Sequence, residues 1–590
     1  MDFPQLLAAA AELEAGGGAA EAADLYRTWL EGNASDVAHV GYFNLGALLA
    51  QMGDLPAAES AYRHSVQLLP GFVQPRLNLA TVLERMGRVE EAIAEWRWVC
   101  QAVSPQSLPN KPLRCMALNQ LGRVLEHLQR DEEALHCLTE SLSMDPRQAG
   151  PLQHWIALRQ KLCIWPVYAP FAQLTLADME SATSAMSMLA LSDEPARQRA
   201  AAQGFVDRAL TPAEVSPPWS SGYRHARLRV AYLSSDWRAH PVAMLAVEML
   251  ELHNREKVEV SAYCWSPEDG SALRQRVVRA VDHFVPIAHL SDAQAAQKIR
   301  ADEIDILVDL QGQTAGARPQ LLALRPAPVQ ISYLGFPGDS ALPGVDFVLA
   351  DRFVMPPQHA QGTQGALYMP TVFQVSDRRR QAGMTSTRAA VGLPPHAFVF
   401  ACFNRPDKFS PALFAVWMRI LARVPNAVLW LLCDNAGTQN RLQAQAKLMH
   451  IDIQKIVFAP HLEHADYLSH IPLADLFLDT YPFNGGASTN DVLWMGVPLL
   501  TLCGATFAAR MGAALLRASG MEELITYTHS EYEEAAVRLA RQPAQLAGLR
   551  LQAQALRVNG RIFDTPQWVR DWETLLRCAF SKPGPDAAHG

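Results

Sequence analysis

A chain of 590 residues exceeds what one ordinary hydrophobic core organises, so about two to four domains are expected. With 49% hydrophobic and 19% charged residues, it has the balance of a soluble globular protein, not of a disordered chain. A net charge of −8 argues against a nucleic-acid surface while leaving room for a local basic cleft.

The opening stretch, MDFPQLLAAAAELEAGG, has early acidic residues and no basic n-region, which predicts no signal peptide. No apolar run reaches the roughly 18 residues of a membrane helix. The nine cysteines are scattered without a C-x-x-C pair, and no Cys/His cluster has ligand spacing. They read as reduced thiols of a cytoplasmic protein with no zinc site.

Internal repeats come first along the chain. NLGALLAQMGDLPAAESAYRHSVQLLP (44–70) matches NLATVLERMGRVEEAIAEWRWVCQAVS (78–104). Asn44, Leu45, Gly53 and Ala58 recur as Asn78, Leu79, Gly87 and Ala92, each 34 residues on. A third copy spans 119–146, delayed by eight residues that fit the loop-like QAVSPQSLPNKPLRC, and a fainter copy precedes the set. Each unit predicts two amphipathic helices, with glycine at the tight turn and small alanines at the close approach. This is the tetratricopeptide pattern, an α-solenoid whose concave groove suits a peptide or protein partner.

Residues 151–225 read as a helical connector, ended by the Pro-rich LTPAEVSPPWSSGYRHA. From 226 strands alternate with helices: LRVAYLSSD, VEVSAYCW, IDILVDLQG and VQISYLGFPG. A Pro- and charge-rich middle (about 354–394) precedes a second series, FVFACFNR, AVLWLLCD, KIVFAPH, ADLFLDTYPF and VPLLTLCG. Two Rossmann-like domains are predicted, 226–385 and 386–590, the latter with a terminal helix. The fold class is therefore α plus α/β, with chemistry expected at strand ends and in the cleft between the two domains.

Four strand-end clusters carry candidate residues. In DTYPFNGGASTNDVLW (479–494), Gly485 and Gly486 allow close backbone approach, and Ser488, Thr489 or Asn490 could cap the following helix. The stretch is either a capped turn or a phosphate cradle built on a helix start. It lacks the Lys-Ser/Thr ending of a P-loop. Asp491 is either a helix-dipole residue or a ribose ligand. Lys408, in ACFNRPDKFSP, is a solvent lysine or a point charge for a diphosphate. His240, in LSSDWRAHPVAM, is structural or an acid, base or substrate ligand. The fourth cluster, 308–338, places two glycine turns at strand ends, with Arg318 and Arg325 either functional or structural.

LRPAPVQISYLGFPG, VDFVLAD, FNRPDKFSP, FAPHLEHADYLSHIPLADLFLDT and DTYPFNGGASTNDVLWMGVPLLT, in this order, resemble the catalytic region of the protein O-linked N-acetylglucosaminyltransferases. The plant SPINDLY proteins are relatives of that family. The resemblance covers about residues 40–575, tetratricopeptide array included. It implies a GT-B glycosyltransferase that uses a UDP-sugar, inverts at the anomeric carbon and needs no metal or other cofactor. It places His240 at the sugar and acceptor side and Lys408 on the diphosphate. Ala487, Ser488 and Thr489 match the phosphate-holding helix start, beside Gly485 and Gly486. Asp491 matches the ribose aspartate, Leu462 the residue whose backbone reads uracil, and Tyr467 the base-stacking position. Leu334 and Gly335 match residues beside the sugar.

The chain departs from the family at Gln313, Arg405 and Asp407, and at Phe483, whose ring stands where animal members have a cysteine near the N-acyl group. The expected activity is transfer of one sugar, N-acetylglucosamine from UDP, to Ser or Thr of a polypeptide held by the repeats, with no nucleic acid or membrane involved. The alternatives are another donor (GDP-fucose or UDP-glucose), an Asn acceptor, or a non-catalytic tetratricopeptide scaffold.

Overall fold

The computed structural model describes residues 1–32, 35–104, 110–219, 222–359 and 364–581. The chain divides into two compact units, Met1–Arg159 with Ala169–Met179, and Gln160–Tyr168 with Glu180–Gly590.

The first unit is a row of helix pairs: Phe3–Ala15 with Ala19–Gly32, Ala38–Met52 with Leu55–Leu68, Val73–Arg85 with Val89–Ala102, and Lys111–His127 with Asp131–Met144. The repeat residues explain the pairing. Gly53 and Gly87 turn between paired helices at φ +86° and +78°, the left-handed region in which glycine meets no Cβ penalty. Gln129 takes the same conformation (φ 60°) in the last pair. Ala58, Ala92 and Ala134 are completely buried, so the helices approach closely there. Asn44 and Asn78 donate across pairs to the hydroxyls of Tyr26 and Tyr62. The faint first copy is thus a full helix pair. The predicted insertion falls partly on 105–109, outside the described residues, and its KPLRC end is helical rather than loop-like.

The second unit holds two parallel sheets. The first contains β1 (Leu228–Ser234), β2 (Val258–Cys264), β3 (His283–Pro286), β4 (Ile306–Asp309), β5 (Val329–Ser332), β6 (Phe347–Asp351) and β7 (Gly365–Met369), in the order β3-β2-β1-β4-β5-β6-β7. The second contains β8 (Phe398–Cys402), β9 (Ala427–Leu432), β10 (Ile456–Ala459), β11 (Leu476–Leu478), β12 (Leu499–Leu502) and β13 (Ile525–Thr526), in the order β10-β9-β8-β11-β12-β13. The central strands are buried on both faces, as parallel sheets covered by helices require. β3, β7 and β13 lie at sheet edges, and β7 falls inside the Pro- and charge-rich middle, where the sequence reading names no strand.

The helices Ala185–Leu191 and Pro195–Ala209 reach the loops of both sheets. Asp193 accepts from the amides of Ala505 (2.8 Å) and Thr506 (3.0 Å) and from the Tyr481 hydroxyl (3.0 Å), while the Ala202 carbonyl accepts from Gln313 (2.9 Å). The last helix, Thr565–Ser581, returns to the first sheet, where the indole of Trp572 donates to the Tyr232 hydroxyl.

Candidate active site

Each sheet reverses its strand order once, so β1 neighbours β4 and β8 neighbours β11. Ligands of doubly wound sheets bind beyond the carboxyl ends of such strands. His240 follows β1, the first glycine turn follows β4, Lys408 follows β8 and DTYPFNGG follows β11.

The second-sheet loops are organised by Asp479, the first residue after β11. Its Oδ1 accepts from the amides of Gly485 (2.7 Å) and Thr480 (2.9 Å) and from Asn404 Nδ2 (3.1 Å), and its Oδ2 from the Thr501 hydroxyl (2.8 Å). Burial pushes this carboxyl up to about 6 against those bonds. Asn404 also donates to Thr480 Oγ1 (2.8 Å) and accepts from Ser488 Oγ (2.5 Å), fastening the loop after β8 to the glycine turn. Lys408 Nζ donates to the Asn484 carbonyl (2.9 Å) and lies 3.6 Å from the centre of the Phe483 ring. It has no ion-pair partner among the described residues, and burial pushes its ammonium down to about 8.

The capping expectation needs correction. The helix Ala487–Trp494 starts with Gly486 as its cap residue (φ −99°, ψ −87°) and no side chain caps it. Ser488 is bonded to Asn404 instead, and Asn490 donates to Ser376 Oγ (2.7 Å) and Gln374 Oε1 (3.2 Å). Thr489 Oγ1 is buried with no hydrogen bond among the described residues. Gly485 is needed for internal packing: a Cβ there would lie 2.5 Å from Thr489 Oγ1 and 2.6 Å from Ser488 Oγ. A Cβ at Gly486 would meet nothing closer than 3.5 Å. What remains is a helix start without a side-chain cap, in the same strand-end loops as an ammonium without an ion-pair partner among the described residues.

Asp491 does not stand free. The buried Arg380 donates through Nη1 to its Oδ1 and through Nη2 to Asn490 Oδ1 (2.6 Å), while His464 Nε2 lies 3.2 Å from its Oδ2. A carboxylate has about four acceptor directions, so two remain for a ligand hydroxyl. Tyr467 is half-buried, stacked on His464 (centroids 6.0 Å, 19°) and 5.8 Å from Phe403. Leu462 sits in the loop between β10 and the helix His464–His470, half-buried.

On the first sheet, His240 caps the helix Pro241–Leu252, its Nδ1 accepting from the Val242 amide (3.3 Å) and lying 3.6 Å from Asp236 Oδ2. Gln311 ties this loop to the next, accepting from the Ser235 amide (2.9 Å) and donating to Asp236 (3.2 Å). The two glycine turns pack on each other. A Cβ at Gly335 would lie 2.1 Å from the Leu310 carbonyl, and one at Gly312 2.5 Å from Phe336 Cβ. Leu334 takes φ 69°, a strained conformation for a branched residue. Gln313, Arg318 and Arg325 are structural: Gln313 bonds the Ala202 and Ser340 carbonyls, Arg318 pairs with Asp292, and Arg325 with Asp346.

Burial depresses the His240 pKa below its ordinary value; Asp236 opposes this, and the guanidiniums of Arg238 and Arg405 add to it. Arg405, itself ion-paired with Asp407, belongs to the Lys408 loop, so the strand-end loops of the two sheets face each other. Asn404, Asp479, Arg380, His464, Asp236 and Gln311 were absent from the predicted site. The runs SSDWRAH and SDRRRQ are the local signals that carried two of them.

Two doubly wound parallel sheets with facing switch-point loops, and a last helix that returns to the first sheet, define the GT-B class of glycosyltransferase folds. The chain belongs to glycosyl transferase family 41, whose model matches residues 212–384 and 379–572, and a tetratricopeptide repeat model matches 74–147. It is similar to the probable UDP-N-acetylglucosamine–peptide N-acetylglucosaminyltransferase SEC of Arabidopsis thaliana, 35% identical over 371 residues, 60% of this chain and 38% of that protein. It is also similar to the UDP-N-acetylglucosamine–peptide N-acetylglucosaminyltransferase of Caenorhabditis elegans, 26% identical over 464 residues, 59% of this chain and 40% of that protein. The chain therefore spans about two fifths of the length of these curated relatives. A solved Thermobaculum terrenum O-GlcNAc transferase mutant superposes with a TM-score of 0.67 over 93% of this chain and 98% of that one, at 24% identity, a likeness of fold. Among the described residues no helix is long and apolar enough to cross a membrane.

Proposed function

We propose that this chain transfers one sugar, N-acetylglucosamine from UDP-N-acetylglucosamine, to Ser or Thr hydroxyls of proteins, with the tetratricopeptide unit binding the polypeptide. The observation that carries the reading is Lys408, bonded to the glycine-turn carbonyl of Asn484, with the uncapped helix start that the same turn leads into. As UDP departs, negative charge grows on the β-phosphate. An ammonium and helix-start amides already in place stabilise that charge without reorganising, which supports transfer without a metal. Asp491, held by Arg380 and His464, keeps acceptor capacity for ribose hydroxyls. Tyr467 offers a ring face to the base, and Leu462 a backbone edge. His240 accepts at Nδ1 from an amide, so Nε2 carries the proton of its neutral form. In that tautomer it orients a donor or acceptor oxygen rather than taking the acceptor's proton. Inversion follows from the resemblance to the family, and the free state of all nine cysteines supports a cytoplasmic setting.

The test is mass spectrometry of a lysate incubated with the protein and a panel of nucleotide sugars. A hexosamine on Ser or Thr, seen only with UDP-N-acetylglucosamine, is the expected result. Lys408→Ala is expected to lower transfer by about 10²- to 10³-fold or more while circular dichroism stays unchanged. Near-normal transfer by that variant would remove Lys408 from the diphosphate. Failure of both UDP and GDP to raise the melting temperature would favour a scaffold without catalysis. A second reading rests on Phe483: its ring packs under the Lys408 ammonium, and at the position where the resembling animal enzymes have a cysteine near the N-acyl group a bulky ring would crowd an acetamido pocket, favouring another donor sugar. Addition of hexose or deoxyhexose from the same panel would establish it.

A further inference from the structure

We propose that a second cavity, separate from the strand-end loops, binds a compact, multiply charged phosphate anion. The cavity, of about 650 Å³, is walled by the end of β6, by β7, by the helix Met511–Ala518 and by the turn before the last helix. None of the residues of the candidate active site lines it. Its volume is that of a small-molecule site.

Four guanidiniums line it, those of Arg352, Arg510, Arg517 and Arg561, against one carboxylate, Asp351. That carboxylate is spent on the backbone: its oxygens accept from the amides of Phe353 (2.8 Å), Val354 (2.7 Å) and Phe373 (2.9 Å). Burial raises its pKa, which weakens it further as a counter-charge. Arg510 and Arg517 crowd one ring, their guanidinium carbons 4.6 and 5.1 Å from the centre of Phe353, while that of Arg352 lies 5.0 Å from the Tyr368 ring. Arg510 is held in place through Nε on the Phe353 carbonyl (2.8 Å) and Nη1 on the Gly504 carbonyl (3.0 Å).

The nearest acid to Arg517 is Glu522 at 3.7 Å, both side chains more than half exposed, an arrangement worth little in water. Arg352 and Arg561 make no side-chain hydrogen bond or ion pair among the described residues. Other guanidiniums of the second unit are matched by paired acids, as Arg276 is by Glu251 and Asp377 and Arg423 by Glu533 and Glu534. In a chain of net charge −8, four guanidiniums around one concavity against a single committed carboxylate make a local positive patch. Tyr368, a wall residue, adds a buried hydroxyl with no partner among the described residues.

Mutual repulsion of these cations is relieved by a bound anion. The planar forks of arginine match phosphate oxygens two at a time, and several forks ask for several charges. Inorganic pyrophosphate and the polyphosphate tail of a nucleotide share that chemistry.

Isothermal titration calorimetry tests the proposal, with Lys408→Ala as the parent so that Lys408 supplies none of the signal. Pyrophosphate and ATP are titrated in parallel. Saturable binding is expected. Equal affinities identify the anion alone as the ligand, and tighter ATP binding identifies a nucleotide. Arg352→Gln with Arg561→Gln is expected to weaken binding by about tenfold or more. Arg352 gives up only its contact with the Tyr368 ring and Arg561 no side-chain hydrogen bond or ion pair, so the fold is expected to survive, and Arg517→Gln serves as an independent second variant. No saturable binding of either probe, or binding left unchanged by these arginine variants, overturns the proposal.

Discussion

Lys408 shows how little of a charged residue's role is visible in its immediate contacts. One carbonyl and one ring face hold its ammonium, and burial has pushed its pKa to about 8. Asp407 pulls the other way and does not cancel the desolvation. Under the proposed function, a diphosphate bound there would supply the missing counter-charge and raise the pKa of the complex above that of the free protein. The sign of the pH dependence follows. Below about pH 8 the free protein already carries the proton and affinity for UDP is level. Above it the free lysine is deprotonated and binding must recruit a proton, so affinity falls by up to about tenfold per pH unit until the pKa of the complex is reached. Calorimetric titration of UDP from pH 7 to 9 is expected to show this decline, and Lys408→Ala to flatten it. An identical decline in the variant would assign it to another group.

At the scale of elements, the segment SDRRRQ divides its loyalties between the two sheets. Asp377 pairs with Arg276, Arg378 with Glu248 and Arg379 with Glu251, all on the first-sheet side. Arg380 turns the other way, into Asp491 and Asn490 at the helix that follows the glycine turn. Its side chain is 5% exposed, so removing it strands a buried carboxylate. Arg380→Ala is expected to cost about 3–5 kcal/mol of stability and to weaken UDP binding as well. Arg380→Lys, which cannot bridge both partners, should recover only part of either. Thermal melts and UDP titration of the two variants check this, and unchanged UDP affinity would detach Asp491 from the ribose. None of this pairing was legible locally. Arg380 and Asp491 lie 111 residues apart, and Asn404 and Asp479 75 apart. What the sequence made readable was periodic or local: the 34-residue phase of the repeats, the short apolar strands, the glycine turn and the lysine. The strands β3, β7 and β13 escaped because they are short, two to five residues, and only partly buried, so no long apolar run marks them.

At the scale of the whole catalytic unit, the last helix binds the end of the chain to the first sheet. Trp572 and Leu576 are fully buried, and Trp568 stacks on Tyr333 with centroids 5.8 Å apart. A polar relay runs through this contact. Trp572 Nε1 donates to the Tyr232 hydroxyl (2.9 Å), that hydroxyl lies 2.7 Å from His253 Nε2, and His253 Nδ1 lies 3.1 Å from Glu573 Oε1. With neutral His253 protonated at Nδ1, every member has one donor for one acceptor. Burial lowers the His253 pKa despite Glu573, which keeps the ring neutral. A histidine with a depressed native pKa contributes stability above its unfolded value, near 6.5, and loses it as pH falls through that value toward the native one. Trp572→Ala empties a large buried site and breaks the relay, at an expected cost of about 3–5 kcal/mol. Trp572→Phe keeps most of the packing and removes the donor together with part of the ring, at an expected cost of about 1–3 kcal/mol. Denaturant melts at pH 7 and pH 5.5 separate the two contributions. Both variants are expected to rank in that order at pH 7, and the parent's stability is expected to fall on acidification. If Trp572→Ala melts like the parent, the last helix does not hold the first sheet, and the closure of the two-sheet unit has to come from the SDRRRQ segment and the helices flanking Asp193.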